Sequence, residues 1–177
     1  MKSGTNEEKP HRLLPPEVFS TKGPAELRQG DWFSDPSFLA ALKTSWCRQY
    51  ADYIGEQRAL EYVERLHSEQ RLFAHYQPLT LHAWVDGRIV GISALRPLGK
   101  LDLITMLEVL PAYQSLGIGR QLLQGLSLAS DRTMAHVSIH QPRVLAFYKR
   151  SGFHVLERSD VQHGEYHLEF DVVARTV

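Results

Sequence analysis

The sequence predicts an α/β (α+β) domain built on a mixed central sheet with helices on both faces. Three observations carry this. Apolar residues recur at helical spacing from Phe38 to Leu66 and at a spacing of two from Leu79 onward. Further amphipathic helical stretches then interrupt the strands, so the order reads helix, helix, three strands, helix, strand, helix, two strands. Finally, an apolar strand runs through a glycine turn directly into a helix over residues 107–123.

Residues 1–31 are rich in proline, glycine and charge and are expected to be an irregular arm, disordered at its start. Residues 32–177 are expected to form one domain. Asp35-Pro36 supplies an N-cap and a first-turn proline; Phe38, Leu39, Leu42, Trp46 and Tyr50 follow at helical spacing until Gly55. A second helix starts near Glu56 with Leu60, Val63 and Leu66 on one face. Leu79, Leu81, Ala83 and Val85 alternate as a strand, Asp86-Gly87 makes a hairpin turn, and residues 89–95 return. Residues 101–110 read as a more buried central strand ended by Pro111. Beyond the glycine turn, Ile118, Leu122, Leu126 and Ala129 mark one helix face, and residues 135–139 a short strand. Pro142 opens a helix carrying Val144, Leu145 and Tyr148, which Gly152 caps. Residues 153–157 and 166–172 pair about His163-Gly164, with Tyr166, Leu168, Phe170 and Val172 on one face.

Composition narrows the function classes. Lys plus Arg and Asp plus Glu both number 20, so the chain lacks the basic excess that phosphate-backbone binding needs, and no nucleic-acid partner is expected. The one cysteine, Cys47, excludes an intrachain disulfide and sits beside Trp46 in a helical pattern, as packing filler. No long apolar run and no signal-peptide pattern over residues 1–10 are present, so a cytoplasmic protein without membrane attachment is expected. No His/Cys/Asp group has metal-ligand spacing, and no metal is expected.

The sharpest signal is Leu107-Glu-Val-Leu-Pro-Ala-Tyr-Gln-Ser-Leu-Gly-Ile-Gly-Arg-Gln-Leu-Leu123. The first turn of the helix that begins here offers unpaired N–H groups and the positive end of the helix dipole, where phosphate oxygens bind well. Gly117 and Gly119 let a phosphate approach the backbone, and Arg120 can add a charge-assisted contact. The run is not a P-loop, for no Gly-Lys-Ser/Thr follows. It is a poor dinucleotide fingerprint too, because Leu122 stands where the third glycine belongs.

Val109-Leu-Pro111 followed by Gln114-Ser-Leu-Gly-Ile-Gly119 resembles motif A of the GCN5-related N-acetyltransferase (GNAT) superfamily. At the expected distance, Gln141-Pro-Arg-Val-Leu-Ala-Phe-Tyr-Lys-Arg-Ser-Gly-Phe153 resembles the family's second element, with Gln141 where asparagine is usual. The resemblance covers about Asp35 to Val173; the family's first strand is not evident before the first helix.

The resemblance implies a mostly antiparallel sheet with a V-shaped splay, acetyl-CoA as co-substrate and an amine as acceptor. It implies that the backbone of Leu107, Glu108 and Val109 lines the thioester, with the Val109 N–H on the acetyl carbonyl. Gln114, Ser115, Leu116, Gly117, Ile118, Gly119 and Arg120 are expected around the pyrophosphate, and Gln141 and Tyr148 against the coenzyme. Tyr148 matches the tyrosine that protonates the departing thiolate in many members. For the general base, His136 lies in the strand where amino-terminal acetyltransferases of the superfamily place a glutamate; Glu108 and Asp102 are the alternatives. The first two helices are expected to wall the acceptor pocket with Trp46, Tyr50, Tyr53 and Tyr62. The expected activity is acetyl transfer to a small amine, peptide N-terminus or lysine; the alternative is a non-catalytic acyl-CoA sensor or scaffold, and a homodimer fits either.

Overall fold

The computed structural model describes residues 25–30, 35–73, 79–126, 130–163 and 166–176. The start of the expected arm, the Ala129 position and the Gly164 turn lie outside the described residues.

Seven strands form one sheet: β1 (Glu26–Gln29), β2 (Leu79–Val85), β3 (Arg88–Pro97), β4 (Asp102–Val109), β5 (Arg132–Ser138), β6 (His154–His163) and β7 (Tyr166–Thr176). Their order is β1-β2-β3-β4-β5-β7-β6. Every pairing is antiparallel except β4 with β5. A parallel pair needs a crossover, and helix α3 (Ile118–Gly125) lies within it. The helical hairpin of α1 (Pro36–Ile54) and α2 (Glu56–Phe73) covers one face through Phe38, Leu42, Trp46, Tyr62 and Val63, against Ile92 and Met106 of the sheet. Helices α3 and α4 (Pro142–Arg150) cover the other through Ile118, Leu122, Leu123 and Tyr148, against Val90, Ile104 and Val137.

Local chemistry explains the ends of these elements. Asp35 caps α1, its carboxylate accepting from Ser37 N (2.9 Å) and Phe38 N (3.0 Å), with Pro36 at the first helical position. Asp86 and Gly87 both take positive φ (50° and 75°), the conformation of a tight hairpin turn between β2 and β3. The face of α2 is rotated from the one expected: Leu60 is 51% exposed, whereas Ala59, Tyr62 and Val63 are buried. Ala59, Tyr62, Val63 and Leu66 form their own i, i+3, i+4, i+7 stripe, and Leu60 falls on its flank.

β1 lies inside the segment expected to be irregular, so residues 26–29 are a strand at the sheet edge. It is pinned from both sides: Ala25 N donates to Gln121 Oε1 of α3 (2.9 Å), and Leu27 packs where a Cβ on Gly125 would stand 2.7 Å away. Four residues between Pro24 and Gly30 carry too short a pattern to read as a strand.

The sheet opens at its centre. A bulge in β4 sets Ala94 opposite Met106 but Leu95 opposite Ile104, so Thr105 is the extra residue. The bulge swaps faces along β4: Ile104 belongs to the α3/α4 core and Met106 to the α1/α2 core. β4 and β5 pair only at Asp102↔Thr133, Leu103↔Met134 and Ile104↔Ala135. Beyond that point β4 follows β3 to Val109 and β5 follows β7 through Ser138, which leaves a V between them.

Candidate active site

The motif-A turn stands at the open end of the V. β4 ends at Val109, Pro111–Tyr113 forms a short 3-10 turn, and α3 begins at Ile118. Gly117 is the N-cap with φ 84°, and no side chain caps the helix, so its first N–H groups have no such partner. Ser115 also takes positive φ (64°), which curls 115–117 back toward the helix start. Gly119 leaves a narrow space: an added Cβ would lie 3.5 Å from Phe147 and 3.8 Å from Val109. Gln114 has a specific task, for its Nε2 donates to the Val109 carbonyl (2.9 Å) and ties the turn to the end of β4. Ser115, Leu116 and Arg120 are exposed around the turn, and Ile118 anchors it in the core.

The edge of β4 facing the V is unpaired by any strand. Leu110 N donates to Val90 O (2.8 Å), so Leu110/Val90 and Glu108/Ile92 are the hydrogen-bonded pairs of the ladder. The N–H and C=O groups of Leu107 and Val109 therefore point away from β3, into the V.

Glu108 and Tyr148 meet electrostatically here. Burial pushes the Glu108 carboxyl up to about 7, and hydrogen bonding to the Trp46 indole offsets part of that rise. Tyr148 is 4% exposed, its ring edge-on to Phe147 (5.4 Å) and Phe153 (5.0 Å). Its ring is thus part of the core. Burial, and then the Glu108 charge, raise its phenol far above the usual range. Glu108 acts on Tyr50 as well, which burial, Tyr62 and Tyr53 already hold well above its ordinary value.

The other sequence-derived candidates fall elsewhere. His136 is exposed on β5, its ring 6.3 Å from Phe170, and partial burial lowers its pKa. No interaction joins it to Glu108 or Tyr148 among the described residues. Asp102 is fully buried at the closed end of the V, accepting from Ser130 N and Oγ, both at 3.0 Å. It sits six residues from Glu108, roughly 20 Å along the strand, and holds a loop. Gln141 is the N-cap of α4, with no side-chain hydrogen bond to the helix. Trp46, Tyr50, Tyr53 and Tyr62 do converge on one side of the V, as expected of the first two helices. Sequence reasoning missed His140, whose ring stacks on Tyr53 at 4.4 Å; the signal was there in the alternation of His136, Ser138 and His140. A separate cavity of about 380 Å³ between Arg28, His82, Trp84 and Asp35 shares no lining residue with this cleft.

These elements have counterparts in known proteins. The family described as "Acetyltransferase (GNAT) domain" matches residues 48–173. The fold is similar to the PaiA N-acetyltransferase from Thermoplasma acidophilum in complex with coenzyme A: TM-score 0.70 and 18% identity, over 86% of this chain and 98% of that one. It is similar to a GCN5-related N-acetyltransferase from Rhodopseudomonas palustris, with TM-score 0.70 and 20% identity over 88% and 97% of the two chains. A ribosomal-protein-alanine N-acetyltransferase from Brucella melitensis aligns at TM-score 0.64 and 17% identity, over 86% and 99%. No curated protein matches the chain by sequence.

Proposed function

The chain belongs to the GNAT acetyltransferase family, and on that premise we propose that it moves an acetyl group from acetyl-CoA to a primary amine by direct attack. The observation that carries this reading is a carboxyl titrating near pH 7, Glu108, at the open end of the V and in electrostatic reach of the Tyr148 phenol. A base with that pKa is half ionised at working pH and accepts a proton from an incoming ammonium, directly or through one water.

In this reading the residues of the chain divide the work. The turn from Ser115 to Arg120, tied to β4 by Gln114, receives the pyrophosphate on the uncapped N–H groups of α3. The N–H of Val109, directed into the V, polarises the acetyl carbonyl as negative charge builds on it. Tyr148 stays protonated because its site is buried, and it donates to the departing sulfur. Glu108 takes the role of base ahead of His136, whose position outside that exchange leaves it on the approach face. Residues 26–177 then act as one acetyltransferase domain, with β1 drawn into it from the arm.

The test is a thiol-release assay with acetyl-CoA and a panel of primary amines. Turnover by the wild-type chain is expected, with the rate of Glu108→Gln reduced about 10²–10⁴-fold. Equal rates for the two proteins would remove Glu108 from the mechanism.

A further inference from the structure

Four aromatic rings run in file from the buried carboxyl to the surface. Tyr62 of α2 meets Tyr50 of α1 edge-on with centroids 4.7 Å apart, and Tyr50 meets Tyr53 at 5.6 Å and 75°. Tyr53 then stacks on His140 at 4.4 Å, the planes only 19° apart. Glu108 acts on the inner member, Tyr50, while His140 at the outer end is exposed. The last contact bridges two separate elements, α1 and the turn between β5 and α4.

Two details belong to that bridge. His140 N donates to Ser138 Oγ (3.3 Å), which holds the turn against the end of β5. The Tyr53 hydroxyl is buried and makes no hydrogen bond among the described residues, although Ser138 lies close enough to influence it. Burial pushes that phenol up to about 12, so the ring presents a neutral face to His140.

We propose that the Tyr53–His140 stack is the specificity filter of the acceptor site. It admits slender primary amines, unbranched alkylamines or flat arylalkylamines, that slide along the ring faces toward Glu108. It turns away α-branched amines and peptide N-termini, whose branched α-carbon and peptide plane must part the stack. The inference rests on the reading that Glu108 receives the amine, and it names the substrate class of that same site. Parting an aromatic pair forfeits about 2- to 10-fold in affinity.

The experiment measures kcat/KM by thiol release for n-butylamine and 2-phenylethylamine against sec-butylamine and an alanyl peptide. It uses the wild-type chain, Tyr53→Phe, Tyr53→Ala and His140→Ala, each checked for acetyl-CoA binding by calorimetry. Wild type is expected to favour the slender pair, Tyr53→Phe to keep that preference, and both alanine variants to reduce it about 2- to 10-fold. Equal use of branched and linear amines by wild type overturns the filter, and so does a wild-type preference in both alanine variants. If Tyr53→Ala fails to fold, His140→Ala, which changes an exposed side chain, decides alone. Binding of acetyl-CoA with no turnover of either slender amine also overturns the filter. Failure of wild type to bind acetyl-CoA instead overturns the acetyl-transfer reading beneath it.

Discussion

Glu108 sets catalysis against stability at a single residue. Its pKa of about 7 in the folded chain stands above the ordinary 4.5, so between those values the folded state holds a proton that the unfolded state has released. The stability tied to that proton is complete below about pH 4.5 and is lost as pH rises through 7. Glu108→Gln, permanently neutral, is therefore expected to be more stable than wild type at pH 8, by about 3 kcal/mol. At pH 4 the gain should vanish, and thermal denaturation at the two pH values checks it. The same carboxyl imposes an acid limb near pH 7 on kcat/KM that Glu108→Gln should lack. Tyr148→Phe keeps the packing against Phe147 and Phe153 and removes only the hydroxyl. Its kcat should fall roughly 10²–10⁴-fold with little change in acetyl-CoA affinity by calorimetry, and a wild-type kcat would end the acid assignment. The sequence named Glu108 yet put His136 ahead of it. What favours Glu108 is burial under α1 and the Trp46 indole, partners distant in sequence that no local pattern records.

At the scale of elements, legibility follows the range of the forces. The cap at Asp35, the Asp86-Gly87 hairpin and the strand–turn–helix at Gly117 are local events, and each was readable from adjacent residues. β1 was not, because Glu26–Gln29 becomes a strand through β2 and Gln121 rather than through its own pattern. The V was foreseen only by resemblance; physically it depends on a bulge at Thr105 and on a ladder that stops after Ile104, both decided by pairing across the sheet. The turn itself offers a clean test. A Cβ at Gly119 would meet Phe147 at an ordinary 3.5 Å, so Gly119→Ala is expected to fold with a melting temperature close to wild type. The added methyl occupies the side of the turn that a phosphate must approach, so acetyl-CoA affinity should drop at least tenfold by calorimetry. Unchanged affinity in the folded variant moves the pyrophosphate elsewhere.

Across the whole molecule the V divides the sheet into β1–β4 and β5–β7–β6, joined by a ladder of three residue pairs. The open ends of the two halves have no strand between them, and Leu107 and Val109 present backbone groups there. A ligand that pairs with that edge while resting on the α3 turn touches both β4 and the crossover, so it ties the halves where the sheet does not. Binding restricted to the native state adds RT ln(1 + [L]/Kd), about 2.7 kcal/mol at a hundredfold excess over Kd. For a chain of 177 residues each kcal/mol moves the melting temperature by about 2–4 °C. Acetyl-CoA at that excess should therefore raise it by roughly 5–11 °C. CoA should act similarly, because the turn reads the pyrophosphate and not the acetyl group. NAD and ATP should act little, since neither carries an arm that pairs with the edge of β4. The gain should also be local. Amide exchange at Leu107 and Val109, open toward the V in the free chain, should slow on binding far more than exchange in β6, at the far edge of the sheet. A shift shared equally by ATP, or protection spread evenly over the sheet, would show that the open V is not where the coenzyme lies.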